Sequence, residues 1–233
     1  VIKRVSTLPV LDNKNKTEKP KKKKKKDEEK QFIIVNNIQG PEQEYPELRT
    51  ISLYGDITEK KGSEVVAALL YFQNTALTSI PENREDPESN TLTIARSINM
   101  FISTHGGSAS DMFSILDVME MVKKNTCDIE TYGMGKVMSA GLPILAAGSP
   151  GKRKVGRNCR IMLHNVMAGT GGTIFSMENE LEEIKWVQDR YIECLVGYTK
   201  MTAARIKKIL KTQKDTYFSA EEAIKMGIAD EII

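Results

Sequence analysis

From Arg49 onward the apolar residues switch back and forth between a two-residue and a 3.6-residue period, and that switching restricts the chain to one class of fold. Thr50-Ile51-Ser52-Leu53-Tyr54 alternates and stops at Gly55-Asp56, as a strand ending in a turn does. Val65, Leu69 and Phe72, with Val66 and Leu70 beside them, recur at helical spacing. Ile98 to Ser103 is a second strand, broken by Gly106-Gly107. Met112, Ile115, Leu116, Met119 and Val122 then form the core stripe of an amphipathic helix. Cys127 to Tyr132 gives another strand, Ser139 to Ala147 another helix, and Arg160 to Leu163 a strand that ends at His164. Such alternation predicts an α/β layer fold with mostly parallel strands. Between Thr75 and Arg96, Pro81 and Pro87 among Asn, Glu, Asp, Ser and Arg predict a long exposed loop.

After Gly169-Thr170-Gly171-Gly172 a long helix is expected from about Ile174 to Tyr198. Leu181, Ile184, Trp186, Val187, Tyr191, Leu195 and Val196 cover too broad a face for a lone surface helix, so part of it should pack on another subunit or element. A helix follows from Ala203 to Leu210, and Ser219 with Glu222 makes a capping-box pattern for the last helix, closed by Gly227.

Charge divides the chain. Residues 1–30 hold twelve Lys or Arg against five Asp or Glu, so with a formal net charge of +3 overall the other 203 residues sum to −4. A nucleic-acid interface on the folded part is therefore not expected, since phosphate binding needs basic groups there. The unbroken run Lys21 to Lys26 cannot bury enough apolar area to order itself, and residues 1–48 read as a lysine-rich extension before a domain at 49–233 with an insertion around 75–97. Phe32 to Val35 is a short apolar run within that extension, suited to an edge strand or a docking segment. Cys127, Cys159 and Cys194 show no metal-ligand or disulfide spacing, so neither a metal nor a cofactor is called for. The longest apolar run, Val137 to Ala147, is about half the length a bilayer span needs. Val1-Ile2-Lys3-Arg4-Val5 lacks the pattern of a secretory signal, and the reading is of a cytoplasmic protein without a membrane partner.

His105 and His164 are the only histidines, so imidazole chemistry must use one of them. His164 follows a strand, where open α/β sheets collect reacting groups, although a lone histidine there also serves structure. Ser139 lies in Gly133-Met134-Gly135-Lys136-Val137-Met138-Ser139-Ala140-Gly141, read as a strand, a tight glycine turn and the start of an apolar helix with Pro143 in its first turn. A serine there is either a plain N-cap or a nucleophile beside unpaired N–H groups. Gly106-Gly107 can bring a second N–H donor close to a carbonyl. Asp215, before Thr216-Tyr217-Phe218, is either a solvated turn residue or the carboxylate that orients an imidazole.

These residues carry a family resemblance. From Arg49 to Ile233 the chain resembles ClpP, the proteolytic subunit of the Clp proteases, in Tyr54-Gly55-Asp56-Ile57, in Phe101-Ile102-Ser103-Thr104-His105-Gly106-Gly107, in Gly135 to Gly141, in Arg160-Ile161-Met162-Leu163-His164-Asn165, and in Asp215 to Ala220 with Glu222-Ala223 and Gly227-Ile228-Ala229-Asp230. The resemblance implies an α/β, ClpP/crotonase-like fold of repeated β-β-α units with a protruding handle helix. It implies a serine endopeptidase with Ser139 as nucleophile, His164 as base and Asp215 as its orienting carboxylate. Gly106 and Ala140 would supply the oxyanion hole, and Gly107 and Ser108 would bind the polypeptide substrate. It further implies stacked heptameric homo-oligomeric rings fed by an AAA+ Clp ATPase.

Departures from the family pattern fall near the site: His105 stands for a proline, Ala140 for a methionine, and Lys136 and Met138 for small residues. The family's N-terminal pore-loop segment is not recognisable, which bears on docking of the ATPase. Two other readings share the fold: a ring subunit with a structural or regulatory role, and an acyl-CoA enzyme that would not need Ser139. A signal-peptide peptidase would need a catalytic lysine and a membrane anchor; Lys136 lies three residues from Ser139, but no anchor is seen.

Overall fold

The computed structural model describes residues 48–82 and 90–233. The lysine-rich extension, apart from Leu48, and the Phe32 to Val35 run lie outside the described residues.

The α/β architecture follows the periodicity. Strand β1 (Thr50–Tyr54) leads to helix α1 (Glu59–Asn74), which the Thr58 side chain caps by accepting from the Lys61 N–H. Strand β4 (Ile98–Thr104) buries every second residue, and helix α2 (Ala109–Asn125) buries Met112, Ile115, Leu116, Met119 and Val122, the stripe its sequence marks out. Removing each such side chain from water contributes about 1.5–3 kcal/mol. Strand β5 (Ile129–Met138), the short helix α3 (Gly141–Ala146), strands β6 (Arg153–Val155) and β7 (Arg160–Leu163), helices α4 (Ile174–Tyr198) and α5 (Ala203–Leu210), strand β8 (Thr216–Phe218), helix α6 (Ala220–Met226) and strand β9 (Glu231–Ile232) complete the order. Ser219 and Glu222 form the expected capping box on α6, and Gly227 ends it in the left-handed conformation.

Seven strands form one sheet, parallel throughout except for the antiparallel pair β7–β8. Strand β5 is long enough to fork. Its first half, Thr131 to Gly133, pairs with β6, and its second half, Lys136 to Met138, pairs with β7. The fork sets the end of β5 beside the end of β7.

Three expectations are corrected here. Thr75 to Arg96 is not an irregular loop: Leu77–Pro81 (β2) and Thr91–Ala95 (β3) pair antiparallel as a separate two-stranded sheet. Leu77-Thr78-Ser79-Ile80 and Thr91-Leu92-Thr93-Ile94 are rich in β-formers, and Pro81 sits at the strand's last position, where a missing N–H is tolerated. The glycine turn expected after Tyr132 is instead continuous strand with an irregularity, since the β4–β5 register shifts between Ile102 and Thr104 as β5 passes Gly133 and Gly135. The helix expected from Ser139 starts at Gly141, so Ser139 stands in the link between strand and helix.

Of α4, Tyr191, Ile192 and Leu195 are buried, whereas Ile174, Phe175, Leu181 and Trp186 are exposed. Only its C-terminal part joins the core. Among the described residues no helix is long and apolar enough to cross a membrane.

Candidate active site

Ser139 takes a left-handed backbone, φ 52°, one of two non-glycine residues with positive φ among those described. That conformation costs an L-residue roughly 1–2 kcal/mol, so the surroundings must enforce it. They do so through both peptide groups. Its N–H donates to the Met162 carbonyl at 2.9 Å, and its carbonyl accepts from the Leu142 N–H at 3.0 Å and the Tyr191 hydroxyl at 3.1 Å. The turn lifts the side chain off the sheet, and Ser139 Oγ lies 2.7 Å from His164 Nε2. Ser139 is therefore neither an N-cap nor a first-turn residue; Ala140 occupies the cap position without a side-chain bond.

His164 follows the last residue of β7 and is half-buried. The segment after it is pinned to two helices. Asn165 Nδ2 donates to the Leu210 carbonyl at 2.8 Å, and the Val166 N–H donates to Gln188 Oε1 at 2.9 Å. A cleft of about 390 Å³ opens on this pair, lined by Gly107, Ser108, Ala140, His164, Asp215 and the apolar side chains of Ala109, Met112, Met162 and Val166, among others. Tyr191 also lines it, its phenol pushed far above the ordinary range by burial, so it remains an O–H donor.

The two glycines differ. Gly106 is buried, and its N–H donates to Thr104 Oγ1 at 2.9 Å. A Cβ there would lie 2.5 Å from Ser139 Cβ, so the glycine makes room for the Ser139 turn. Gly107 is held against Ile57 by flanking bonds, Ile57 N–H to Gly106 O and Ser108 N–H to Ile57 O, both 2.8 Å. Its own N–H has no partner among the described residues, nor has that of Ala140, and both residues line the cleft. Of the two glycines, then, Gly106 gives its N–H to the Thr104 hydroxyl and Gly107 keeps its own without a partner among the described residues. Ser108 caps α2 by accepting from the Asp111 N–H at 3.3 Å.

Asp215 is exposed and reaches the same cleft, but among the described residues no hydrogen bond joins it to His164. The structure thus brings Ser139 and His164 into contact and leaves the carboxylate nearby. Thr104 and Tyr191 were not singled out from the sequence. Thr104 ends a strand pattern and Tyr191 falls within an apolar helical face, so nothing in either pattern marks a hydroxyl in use.

Comparison with known proteins identifies the family. A model of the Clp protease family matches residues 90–233. The chain is 31% identical over 185 residues to the ATP-dependent Clp protease proteolytic subunit 1 of Corynebacterium jeikeium (strain K411), across 79% of this chain and 87% of that protein. It is 34% identical over 138 residues to the ATP-dependent Clp protease proteolytic subunit 2 of Corynebacterium efficiens, across 59% of this chain and 67% of that protein. With a family model over residues 90–233 and a relative 31% identical across 79% of the chain, the chain belongs to the Clp protease family.

Proposed function

We propose that this chain is a serine endopeptidase subunit that cleaves polypeptides through an acyl-enzyme, with Ser139 as nucleophile and His164 as general base. The observation that carries the reading is the 2.7 Å approach of Ser139 Oγ to His164 Nε2 beside two uncommitted backbone N–H groups. Nucleophile and base at this distance, with donors alongside, suit acyl transfer.

The steps follow from the atoms present. Ser139 Oγ attacks the scissile carbonyl as its proton passes to His164 Nε2. The oxygen that becomes negative is held by the Gly107 and Ala140 N–H groups, each such donor typically being worth about 10²–10³ in rate. Collapse breaks the C–N bond, and His164 returns the proton to the departing amine. Water, activated by the same imidazole, then releases the acyl group and restores Ser139. Asp215, close enough to line the same cleft, turns its carboxylate to accept from His164 Nδ1–H and stabilises the imidazolium. Gly107, Ser108 and the apolar wall of Met112 and Met162 receive the substrate chain.

The relatives named above are proteolytic subunits of ATP-dependent proteases, which supports assembly into stacked rings and supply of substrate by a Clp ATPase. A structural or regulatory ring subunit is the second reading, favoured by the absence of a His164–Asp215 bond. A fluorophosphonate probe separates the two. The peptidase reading expects one covalent adduct mapping to Ser139, absent in His164→Ala and accompanied by hydrolysis of short peptides. An assembled, folded protein that never acquires the adduct and cleaves nothing would leave the structural role.

A further inference from the structure

The backbone of Ser139 is held by three hydrogen bonds, and one of them comes from a side chain: the Tyr191 hydroxyl donates to the Ser139 carbonyl oxygen at 3.1 Å from helix α4. Tyr191 is 4% exposed and packs in the core, so its hydroxyl has been carried into an apolar surrounding to reach that one oxygen. The other two bonds have different reach. The Met162 carbonyl ties the Ser139 N–H to the strand that carries the base, whereas the Leu142 N–H belongs to the link's own short helix and moves with it. Tyr191 alone connects the nucleophile's carbonyl to a separate, long element.

Carbonyl direction matters here because of the dihedral. At φ 52° Ser139 sits in a well that L-residues leave readily, and the peptide plane joining Ser139 to Ala140 carries both the Ser139 carbonyl and the Ala140 N–H. Rotation of that plane moves the carbonyl off Tyr191 and turns the Ala140 N–H away from the cleft in the same motion. A donor clamped to one end of a rigid plane therefore aims the donor at its other end.

We infer that Tyr191 is a positioning residue: by holding the Ser139 carbonyl it fixes the peptide plane that points the Ala140 N–H into the cleft and keeps Ser139 Oγ against His164. This rests on the peptidase reading of the same site. Tyr191 touches neither reacting bond in that reading, and its contribution is to alignment.

The test compares rates of covalent capture by a fluorophosphonate on the full-length assembled protein. Tyr191→Phe removes the hydroxyl and little else, and the Ser139 carbonyl keeps its Leu142 partner, so folding should survive. The expected result is a labelling rate constant lower by roughly three- to tenfold, the range of one hydrogen bond, with every Ser139 still labelled at the end point. On a short peptide kcat falls by a similar factor while KM holds. Tyr198→Phe, the same change two turns along α4 and outside the cleft, leaves the rate unaltered.

If Tyr191→Phe lowers stability too far, para-aminophenylalanine and para-methylphenylalanine at position 191 replace it, equal in bulk and differing in the donor; only the methyl variant should be slow. The inference is overturned if Tyr191→Phe labels at the wild-type rate, if Tyr198→Phe is slowed equally, or if the end point drops while the rate per labelled site is unchanged, which is what a merely structural role produces. Failure of the wild type to label at all removes the peptidase reading itself, and is distinguishable because no variant comparison is then needed.

Discussion

The backbone N–H of Ser139 donates to the carbonyl of Met162 at 2.9 Å, which ties the Ser139 turn to the strand that ends beside His164. The bond extends the β5–β7 pairing of Met138 with Met162 by one step, so the meeting of hydroxyl and imidazole is set by strand register. A slip of one residue would turn every side chain of β7 to the opposite face and separate the pair.

Asp215→Asn should keep the fold but lower kcat by about 10³- to 10⁴-fold, since an amide cannot hold the imidazole in the productive tautomer or stabilise its cation. Peptide hydrolysis under saturating substrate measures it. A loss smaller than about threefold would place Asp215 outside catalysis, as its unbonded position in this structure allows.

Gly106→Ala should be far more damaging than Gly151→Ala, although both glycines have positive φ, 109° and 80°. A methyl at 151 meets nothing within 4 Å, so only the backbone term of roughly 1–2 kcal/mol applies. At 106 it meets Ser139 Cβ at 2.5 Å, and repacking adds about 1–3 kcal/mol. Urea denaturation gives both numbers; equal losses would show that Gly106 serves dihedral freedom alone.

The Asp230 carboxylate is held below the usual range first by its bonds to the Arg153 side chain and also by the Arg153 and Gly151 N–H groups. A depressed carboxylate pKa contributes stability that is complete above the unfolded value of about 3.9 and is lost as pH falls through the folded value. Asp230→Asn should therefore cost about 1–2 kcal/mol at pH 7, and the gap from wild type should narrow as pH falls below the unfolded value. Melting temperatures across pH 2.5–7 check this, and a gap that persists in acid would contradict it.

Cys159 is almost fully buried, and burial pushes its thiol up to about 11. At pH 8 it is overwhelmingly protonated, so iodoacetamide should modify the half-buried Cys194 first and reach Cys159 only on unfolding. Peptide mass mapping of native and urea-treated samples reads the order.

Periodicity was enough to mark β1, the core stripe of α2, the bounds of β7, α4 and α5, and the capping box on α6, because each reflects which face of a local element is buried. The pairing of a serine and a histidine was also readable, since only two histidines exist and motif order resembles one family. Pattern could not reveal that β5 runs on through Gly133 and Gly135, that Ser139 turns left-handed before α3, or that residues 77–81 and 91–95 pair as strands. Nor could it choose between two adjacent glycines. Gly106 gives its N–H to Thr104 and Gly107 is pressed against Ile57, and the direction of an amide is set by such neighbours. The sequence by itself determined the layers of this protein, for those depend on local alternation of apolar and polar side chains. Tertiary structure alone decided which backbone donors face the cleft and what aligns Ser139, because those depend on contacts with residues such as Ile57, Met162 and Tyr191 that lie far away along the chain.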